Sequence, residues 1–197
     1  MANFITLIRL ILVFIVILLA LYGKPQEQLM AIPLLILAII LDGIDGMIAR
    51  VRQEVTLFGA VFDIAADRVI EMSLWILFIR LNLVSIWIGL VFVARGILVD
   101  SLRNQQNVRG QSPFSIMKST LGKFLVASRI MRFLYGAMKL LTFSWLLFLL
   151  PFPSLFPLEW SWYYGDLLRI GNVLVYVTLV FCLLRGIPVI CEAVLIK

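Results

Sequence analysis

Four aspartates lie close together in the first half of the chain, inside segments that are otherwise apolar. Asp42 and Asp45 are three residues apart, and Asp63 and Asp67 are four apart, so each pair shares one face of a helix. An ionised side chain at the centre of a membrane helix costs about 2.5–3.5 kcal/mol on insertion scales, so these carboxylates need polar company. The short connection between the two segments predicts antiparallel neighbouring helices that bring all four to one level.

The four carboxylates predict a site for hard divalent cations. An all-oxygen ligand set suits Mg²⁺ or Mn²⁺, and the chain contains no histidine that would favour Zn²⁺. We expect two ions, because paired metals can hold a diphosphate and neutralise charge on a leaving group. As an alternative, Asp45 or Asp67 alone can form a buried ion pair with Arg50 or Arg68. Glu71, one helical step further on, is expected to pack or to form hydrogen bonds.

Small and basic residues beside the aspartates predict a surface that binds a nucleotide. Gly46 and Ala49 keep one helix face small, so that a flat group such as a nucleobase can approach the backbone. Arg50 adds a guanidinium group whose geometry suits phosphate oxygens. Gly59 begins the stripe that continues through the later aspartates at i+4 and i+8. The whole region therefore predicts metal-assisted chemistry on a phosphate group.

The elements that position these residues are predicted to be membrane helices. The chain of 197 residues is 63% hydrophobic and only 14% charged, which is too apolar for a soluble domain. A span needs about 20 apolar residues. We predict an all-α, polytopic membrane protein, a single domain over 1–197, with six transmembrane helices and a connection from Pro151 to Asp166. The predicted helices cover roughly 4–22, 28–49, 56–80, 83–101, 121–150 and 170–191.

The distribution of basic residues predicts the orientation. With the amino terminus in the cytoplasm, most of the basic residues in connecting segments are cytoplasmic, as the positive-inside rule requires. The predicted active site then faces the cytoplasm across the plasma (inner) membrane. The net charge of +6 is scattered between apolar segments, which favours anionic lipid headgroups as partners and does not favour nucleic acid.

Basic residues in the second half of the chain predict the second substrate. Their excess favours a phosphorylated acceptor, such as glycerol 3-phosphate or an inositol phosphate, over serine or choline. One of them, Arg185, is either a phosphate contact or the partner of Glu192 or another carboxylate in an ion pair. The candidate acceptor-binding residues are Arg95, Lys118, Lys123, Arg129, Arg132 and Arg185.

The acidic region resembles the full signature of the CDP-alcohol phosphotransferase family. The matching run is Asp42-x-x-Asp45-Gly46-x-x-Ala49-Arg50, eight further residues, and Gly59-x-x-x-Asp63-x-x-x-Asp67. The early Asn3-x-x-Thr6-x-x-Arg9 and the six-helix layout are also similar to members of that family.

The resemblance implies transfer of a phosphatidyl group from CDP-diacylglycerol to the hydroxyl of a small alcohol, with release of CMP. It implies that Asp42, Asp45 and Asp63 are metal ligands, and that Asp67 is the base and also contacts metal. By the same resemblance a cytidine diphosphate pocket is formed by Asp42, Gly46, Ala49, Arg50 and Gly59. Members of the family are often homodimers, so a homodimer is an expectation here as well.

A second, looser resemblance concerns the acceptor. The stretch from Ala94 to Arg103, followed by Leu121-Gly122-Lys123, looks like the corresponding region of bacterial phosphatidylglycerophosphate synthases. This favours glycerol 3-phosphate as the acceptor. The chain departs from that pattern at Gly96, where an acidic residue is usual, and at Leu125, where a second basic residue is usual. Phosphatidylinositol-phosphate synthase, or an enzyme with another acceptor, is therefore the alternative within the family.

Two other classes of membrane protein also place carboxylates in helices. Intramembrane prenyltransferases hold a diphosphate through Mg²⁺, but they need a second acidic motif, and no acidic cluster follows Glu71. A cation transporter would be expected to show acidic or broken-helix features in both halves of the chain. The concentration of acids in one helical hairpin favours the phosphotransferase interpretation.

Overall fold

The computed structural model describes residues 2–51, 57–108 and 120–195, and over these residues the chain is helical with short connections. The helices are α1 (Ala2–Tyr22), α2 (Pro25–Val51), α3 (Leu57–Arg80), α4 (Ile86–Val108), α5 (Thr120–Ala127), α6 (Arg129–Leu149), α7 (Phe152–Leu155) and α8 (Pro157–Leu195). The predicted all-α class is confirmed.

The chain divides into two compact units. The first consists of Met1–Leu83 and Phe143–Gly171, and the second of Val84–Thr142 and Asn172–Lys197. In the first unit, α1 packs against both α2 and α3. Because α1 contacts both helices, a side chain on its inner face can reach residues of α2 and α3 together.

The ends of the helices in the first unit are set by local hydrogen bonds. At the start of α2 the Glu27 carboxylate accepts a hydrogen bond from the Lys24 backbone N–H at 2.8 Å, which satisfies an unpaired donor of the first turn. Gly23 lies just before Lys24. A Cβ at position 23 would lie 2.5 Å from the Leu19 carbonyl oxygen, which is too close for a side chain. After α3, Asn82 adopts a left-handed conformation with φ 58°, and the Leu83 N–H bonds the Phe78 carbonyl at 3.0 Å. This Schellman-type ending stops the helix sharply.

Aromatic and aliphatic side chains form the interior of the first unit. Trp75 and Phe78 are fully buried, and both contact Phe143, with ring centroids 4.9 and 5.7 Å away. Val16 of α1 and Leu35 of α2 are also fully buried. This packing holds α3 in place, and α3 carries two of the four aspartates.

The second unit has its own interior. Val99, Val126 and Val189, from α4, α5 and α8, form a buried cluster. Elsewhere in this unit the hydroxyl groups of Thr142 and Thr178 are hydrogen-bonded at 2.8 Å, which links α6 to α8. Interhelical hydrogen bonds of this kind are typical of helix packing in membranes.

Four of the helices contain segments long and apolar enough to cross a membrane, among the residues that the structure describes: Phe4–Tyr22, Pro25–Asp42, Arg129–Leu149 and Ser161–Ala193. Large apolar side chains such as Phe14, Leu18 and Phe133 are exposed, as expected of surfaces that face lipid. The chain is an integral membrane protein. The predicted third and fourth spans, α3 and α4, are not among these segments because they carry more charged residues. Six spans therefore remain a prediction.

Two boundaries differ from the sequence prediction. The segment predicted as one helix over 121–150 is interrupted at Ser128, between α5 and α6. The predicted connection from Pro151 to Asp166 is largely helical, and α8 already begins at Pro157. Proline at the first position of a helix loses no internal hydrogen bond, so Pro157 begins α8 inside the segment that the sequence predicts to be a connection.

Candidate metal centre and a basic cluster

The acidic centre is built from three helices of the first unit. Asp42 lies near the carboxyl end of α2, while Asp63 and Asp67 lie one turn apart on α3. One carboxylate oxygen from each can be chosen so that all three lie within 4.8 Å of one another. The sequence-predicted juxtaposition of these three aspartates is confirmed.

The third helix, α1, contributes Arg9 to the same place. Its Nη1 lies 2.6 Å from Oδ1 of Asp42 and donates to Oδ1 of Asp63 at 3.2 Å, and its Nη2 donates to Oδ1 of Asp67 at 2.8 Å. The Arg9 side chain is only 5% exposed, whereas the three carboxylates are 43–48% exposed. The guanidinium group is thus the buried side of the centre, and the carboxylates are its accessible side.

The donor set fits a hard divalent cation. Three carboxylates and one guanidinium leave two formal negative charges within this group of four residues, which matches the charge of one divalent ion. Carboxylate oxygens are the ligands that Mg²⁺ and Mn²⁺ prefer. In an octahedral Mg²⁺ site the metal–oxygen distance is about 2.0–2.1 Å, so the three carboxylates would have to move inward around an ion. Their exposure allows that movement and allows water to complete the coordination.

The structure also tests the alternatives for single aspartates. Asp67 pairs with Arg9, while Arg68 donates to Glu71 one turn further along α3. Glu71 is buried, which confirms the prediction that it forms hydrogen bonds within the helix packing. Gly59 lies on α3 and is half-buried. The side chains of Asp45, Gly46, Ala49 and Arg50 lie outside the described residues, so the expected roles of these four stay predictions.

Arg9 is the site residue that the sequence interpretation missed. In the sequence, Arg9 belongs to the run Asn3-x-x-Thr6-x-x-Arg9, which is similar to members of the family but carries no predicted role. The signal was present, because Arg9 is the only charged residue between positions 4 and 22. A charged residue within an apolar membrane segment is expected to have a buried partner, and three carboxylates in the next two helices were available.

A second cluster of charged residues lies in the second unit and is basic. Arg95 of α4 and Arg185 of α8 are both buried, and their guanidinium carbons lie 5.7 and 5.2 Å from the ring centre of Tyr135 on α6. Lys139 approaches the same ring, with Nζ at 4.6 Å from its centre. Cations at such distances from an aromatic face are attracted by its quadrupole. Tyr135 therefore lies between cations contributed by three helices.

The basic cluster has room for Arg95 because residue 186 is glycine. A Cβ at Gly186 would lie 2.6 Å from Cγ and 2.9 Å from Nε of Arg95, closer than real side-chain contacts allow. The Nε atoms of Arg95 and Arg185 are buried and have no hydrogen-bond partner among the described residues. Buried donors of this kind normally find a partner, and an anion would supply one.

The remaining acceptor candidates are placed differently. Lys123, Arg129 and Arg132 are exposed, although Arg132 and Arg103 lie close enough to Arg185 to repel its charge. Lys118 lies outside the described residues. Tyr135 and Gly186 had not been assigned by the sequence interpretation, because neither residue type indicates phosphate binding until the arginines beside it are known.

Membrane helices that carry an acidic, hard-cation centre define a class of integral membrane protein suited to phosphate chemistry. Residues 1–184 match the family model described as CDP-alcohol phosphatidyltransferase. The chain belongs to this family. Its members generally depend on a divalent metal, which agrees with the acidic centre.

Several curated relatives are similar to this chain. The CDP-diacylglycerol–glycerol-3-phosphate 3-phosphatidyltransferase of Rickettsia typhi is 33% identical over 101 residues, which cover 51% of this chain and 57% of the relative. The protein of the same name from Wigglesworthia glossinidia brevipalpis is 30% identical over 139 residues, 66% of this chain and 76% of that relative. The match therefore spans little more than half the length of the Rickettsia relative.

Proposed function

We propose that this chain transfers the phosphatidyl group of CDP-diacylglycerol to glycerol 3-phosphate and releases CMP. The observation that carries the proposal is the convergence of Asp42, Asp63 and Asp67 in a metal-type centre, within a chain of this family. The glycerol 3-phosphate in the names of the relatives supports the choice of acceptor. Inositol phosphate is the acceptor of the alternative reaction.

In the proposed reaction, a hydroxyl oxygen of the acceptor attacks the phosphorus that carries the diacylglycerol. The new phosphorus–oxygen bond forms as the bond from that phosphorus to the CMP phosphate breaks, and CMP leaves with the bonding electron pair. A bound pair of Mg²⁺ or Mn²⁺ ions would neutralise the diphosphate and the leaving CMP. Asp42, Asp63 and Asp67 are the described residues that would hold them, and Asp45 completes the proposed set.

Asp67 is proposed to accept the proton of the attacking hydroxyl. Among the described residues, Arg9 contacts Asp67 at Oδ1, which leaves Oδ2 for the acceptor. A carboxylate next to cations is a weak base, so most of the acceleration must come from holding the reactants together and from stabilising the attacked phosphate. Asp42, Gly46, Ala49, Arg50 and Gly59 are proposed to line the site of the cytidine diphosphate group.

The basic cluster is proposed to recognise the phosphate of the acceptor. Arg95 and Arg185 are buried and face the ring of Tyr135, so their N–H groups are not consumed by a carboxylate among the described residues. Charge-assisted hydrogen bonds from arginine to phosphate are among the strongest in proteins. The exposed Lys123, Arg129 and Arg132, together with Lys118, are proposed to attract the anionic acceptor from solution.

We further propose that the active site faces the cytoplasm from the inner membrane, a proposal that the basic connecting segments support through the positive-inside rule. We also propose that the chain forms a homodimer, as family members often do. Labelling of introduced cysteines in intact cells and in inverted vesicles tests the first proposal. Mass determination in detergent tests the second, since a monomeric mass would contradict it.

The proposed activity is tested by following CMP release from CDP-diacylglycerol by the purified chain in the presence of Mg²⁺ or Mn²⁺. Glycerol 3-phosphate, inositol 1-phosphate, serine and glycerol should be compared as acceptors. We expect release with glycerol 3-phosphate and very little with glycerol, which lacks the phosphate. Release with inositol 1-phosphate alone would keep the reaction and change the acceptor, whereas no release with any acceptor would overturn the proposal.

A further inference from the structure

Arg9 is a fixed cation at the centre of a site whose ligand set suits divalent cations. It contacts Asp42, Asp63 and Asp67, through the Oδ1 atom of each. Its own Nε is buried and has no hydrogen-bond partner among the described residues. The compensation of its charge therefore comes from the three carboxylates, and part of the compensation of their charge comes from Arg9.

We infer that Arg9 is an internal counter-cation of the metal centre: it holds the three carboxylates together in the metal-free protein and is displaced from them when a divalent ion binds. The inference deepens the proposed function by assigning a positioning residue to its metal centre. It predicts that Arg9 raises the stability of the metal-free protein and lowers the affinity of the centre for a divalent ion.

Arg9 and a bound divalent ion would compete for the same oxygen lone pairs. A guanidinium nitrogen lies 2.6 Å from Oδ1 of Asp42, and another lies 2.8 Å from Oδ1 of Asp67. An ion bound to these oxygens at about 2.0–2.1 Å would come close to the arginine N–H groups and would be repelled by their charge. The ion must therefore take the oxygens from Arg9 or draw the carboxylates away from it.

Without a cation beside them, the three carboxylates would destabilise the folded protein through their mutual repulsion. Three carboxylates on neighbouring helices repel one another, and breaking a buried ion pair by removing one partner typically costs about 3–5 kcal/mol. The carboxylates here are partly exposed, so water reduces that cost. An arginine side chain supplies a fixed positive charge, so Arg9 offsets part of the carboxylate charge when no metal is bound.

The planar group of arginine is important for this role. Two different nitrogens of Arg9 reach carboxylates on two different helices, Nη1 towards Asp42 and Nη2 towards Asp67. A lysine carries the same charge at a single nitrogen and cannot form this fork. Lysine at position 9 should therefore stabilise the metal-free centre less than arginine and oppose the ion less.

The test measures Mn²⁺ binding and thermal unfolding of the purified full chain in detergent after removal of metal with a chelator. For Arg9→Ala we expect a lower melting temperature without metal, a larger rise in melting temperature on adding Mn²⁺, and a Mn²⁺ dissociation constant lower by roughly tenfold, the equivalent of about 1.4 kcal/mol. Arg9→Lys should fall between the wild type and Arg9→Ala in all three measurements.

Arg169→Ala is the matched control. Arg169 also pairs with an aspartate in the first unit, Asp166 at 3.5 Å, but both side chains are largely exposed. This substitution should leave both Mn²⁺ binding and metal-free stability unchanged. If Arg9→Ala does not yield folded protein, Arg9→Lys supplies the comparison.

Unchanged or weaker Mn²⁺ binding in the Arg9 variants would overturn the inference. The result is separable from the proposed reaction, because neither measurement uses CDP-diacylglycerol or an acceptor. Tighter Mn²⁺ binding in the variants, together with no CMP release by the wild type, would support the counter-cation and contradict the transferase activity alone.

Discussion

The acidic centre and the basic cluster hold like charges within apolar helices by two different means. In the acidic centre, three carboxylates share one guanidinium group from α1. In the basic cluster, Arg95, Arg185 and Lys139 all approach the ring of Tyr135. The first arrangement uses opposite charge, and the second uses the quadrupole of an aromatic ring.

The difference indicates what each region can still bind. The three carboxylates are partly exposed and outnumber the one guanidinium group of Arg9, so a divalent cation would fit among them. A tyrosine ring attracts a guanidinium group without accepting its in-plane N–H donors, so the arginines keep donors for an anion. Metal binding should thus depend on the first region, and recognition of the acceptor phosphate on the second.

Among the substitutions that test the two regions, Asp67→Asn should have the largest effect on activity. The amide keeps the shape of the side chain but cannot accept a proton, and loss of a general base typically costs 10²–10⁴-fold. We expect kcat to fall by about that factor while binding of CDP-diacylglycerol is largely kept, as measured by CMP release and by lipid binding. Asp166→Asn, at an exposed position of the same unit, is the control. Full activity of Asp67→Asn would remove the assignment of Asp67 as the base.

Arg185→Ala tests the second region with the next largest effect. A hydrogen bond to a charged group contributes about 1.5–3 kcal/mol, so loss of this guanidinium should raise the KM for glycerol 3-phosphate by about 10–150-fold. The KM for CDP-diacylglycerol should change little. Steady-state kinetics with each substrate varied in turn separates the two. Equal changes in both constants would mean that Arg185 supports the structure in general.

Gly186→Ala tests the same region without removing a charge. The added Cβ would collide with the Arg95 side chain, so Arg95 must shift. We expect an increase of roughly tenfold in the KM for glycerol 3-phosphate, the equivalent of about 1.4 kcal/mol. Gly136→Ala is a matched control in the same unit, because a Cβ there meets nothing within 4 Å. A normal KM in Gly186→Ala would show that the position of Arg95 is unimportant for the acceptor.

Tyr135→Leu and Tyr135→Phe test whether the aromatic ring or the hydroxyl group of Tyr135 holds the arginines, and they should have the smallest effects. A cation–π contact contributes about 0.5–2 kcal/mol, so leucine should raise the KM for glycerol 3-phosphate by about 2–30-fold. Phenylalanine keeps the ring and should leave the KM within about twofold of the wild type. That change is smaller than the one expected from losing a cation–π contact of about 0.5 kcal/mol. If the phenylalanine variant is as impaired as the leucine variant, the hydroxyl group holds the arginines and the ring does not.

The sequence predicted the acidic centre well and the basic cluster in part. Fixed spacing on two adjacent helices was enough to group Asp42, Asp63 and Asp67, because residues three or four apart share a helix face and a short turn makes the helices neighbours. The candidate acceptor residues come from helices far apart in sequence. The grouping of two of them, Arg95 of α4 and Arg185 of α8, around Tyr135 depends on helix packing that no local pattern encodes.

The helix boundaries show a similar limit. The apolar segments identified the first, second and last spans, but the segment from Pro151 to Asp166 is predicted as a connection and is largely helical in the structure. Proline ends or begins a helix according to the residues that pack around it, and its sequence position alone does not decide between the two.

By itself, the sequence determined that this is a helical membrane protein of one family, with a cluster of carboxylates on its second and third helices that could bind a hard cation. Composition and short-range spacing are sufficient for that, because both act within one helix or one hairpin. Only the tertiary structure decided that Arg9 is the partner of three carboxylates and that Tyr135 and Gly186 shape the surroundings of Arg95. These contacts join residues tens of positions apart, and they exist because packing brings particular helix faces together.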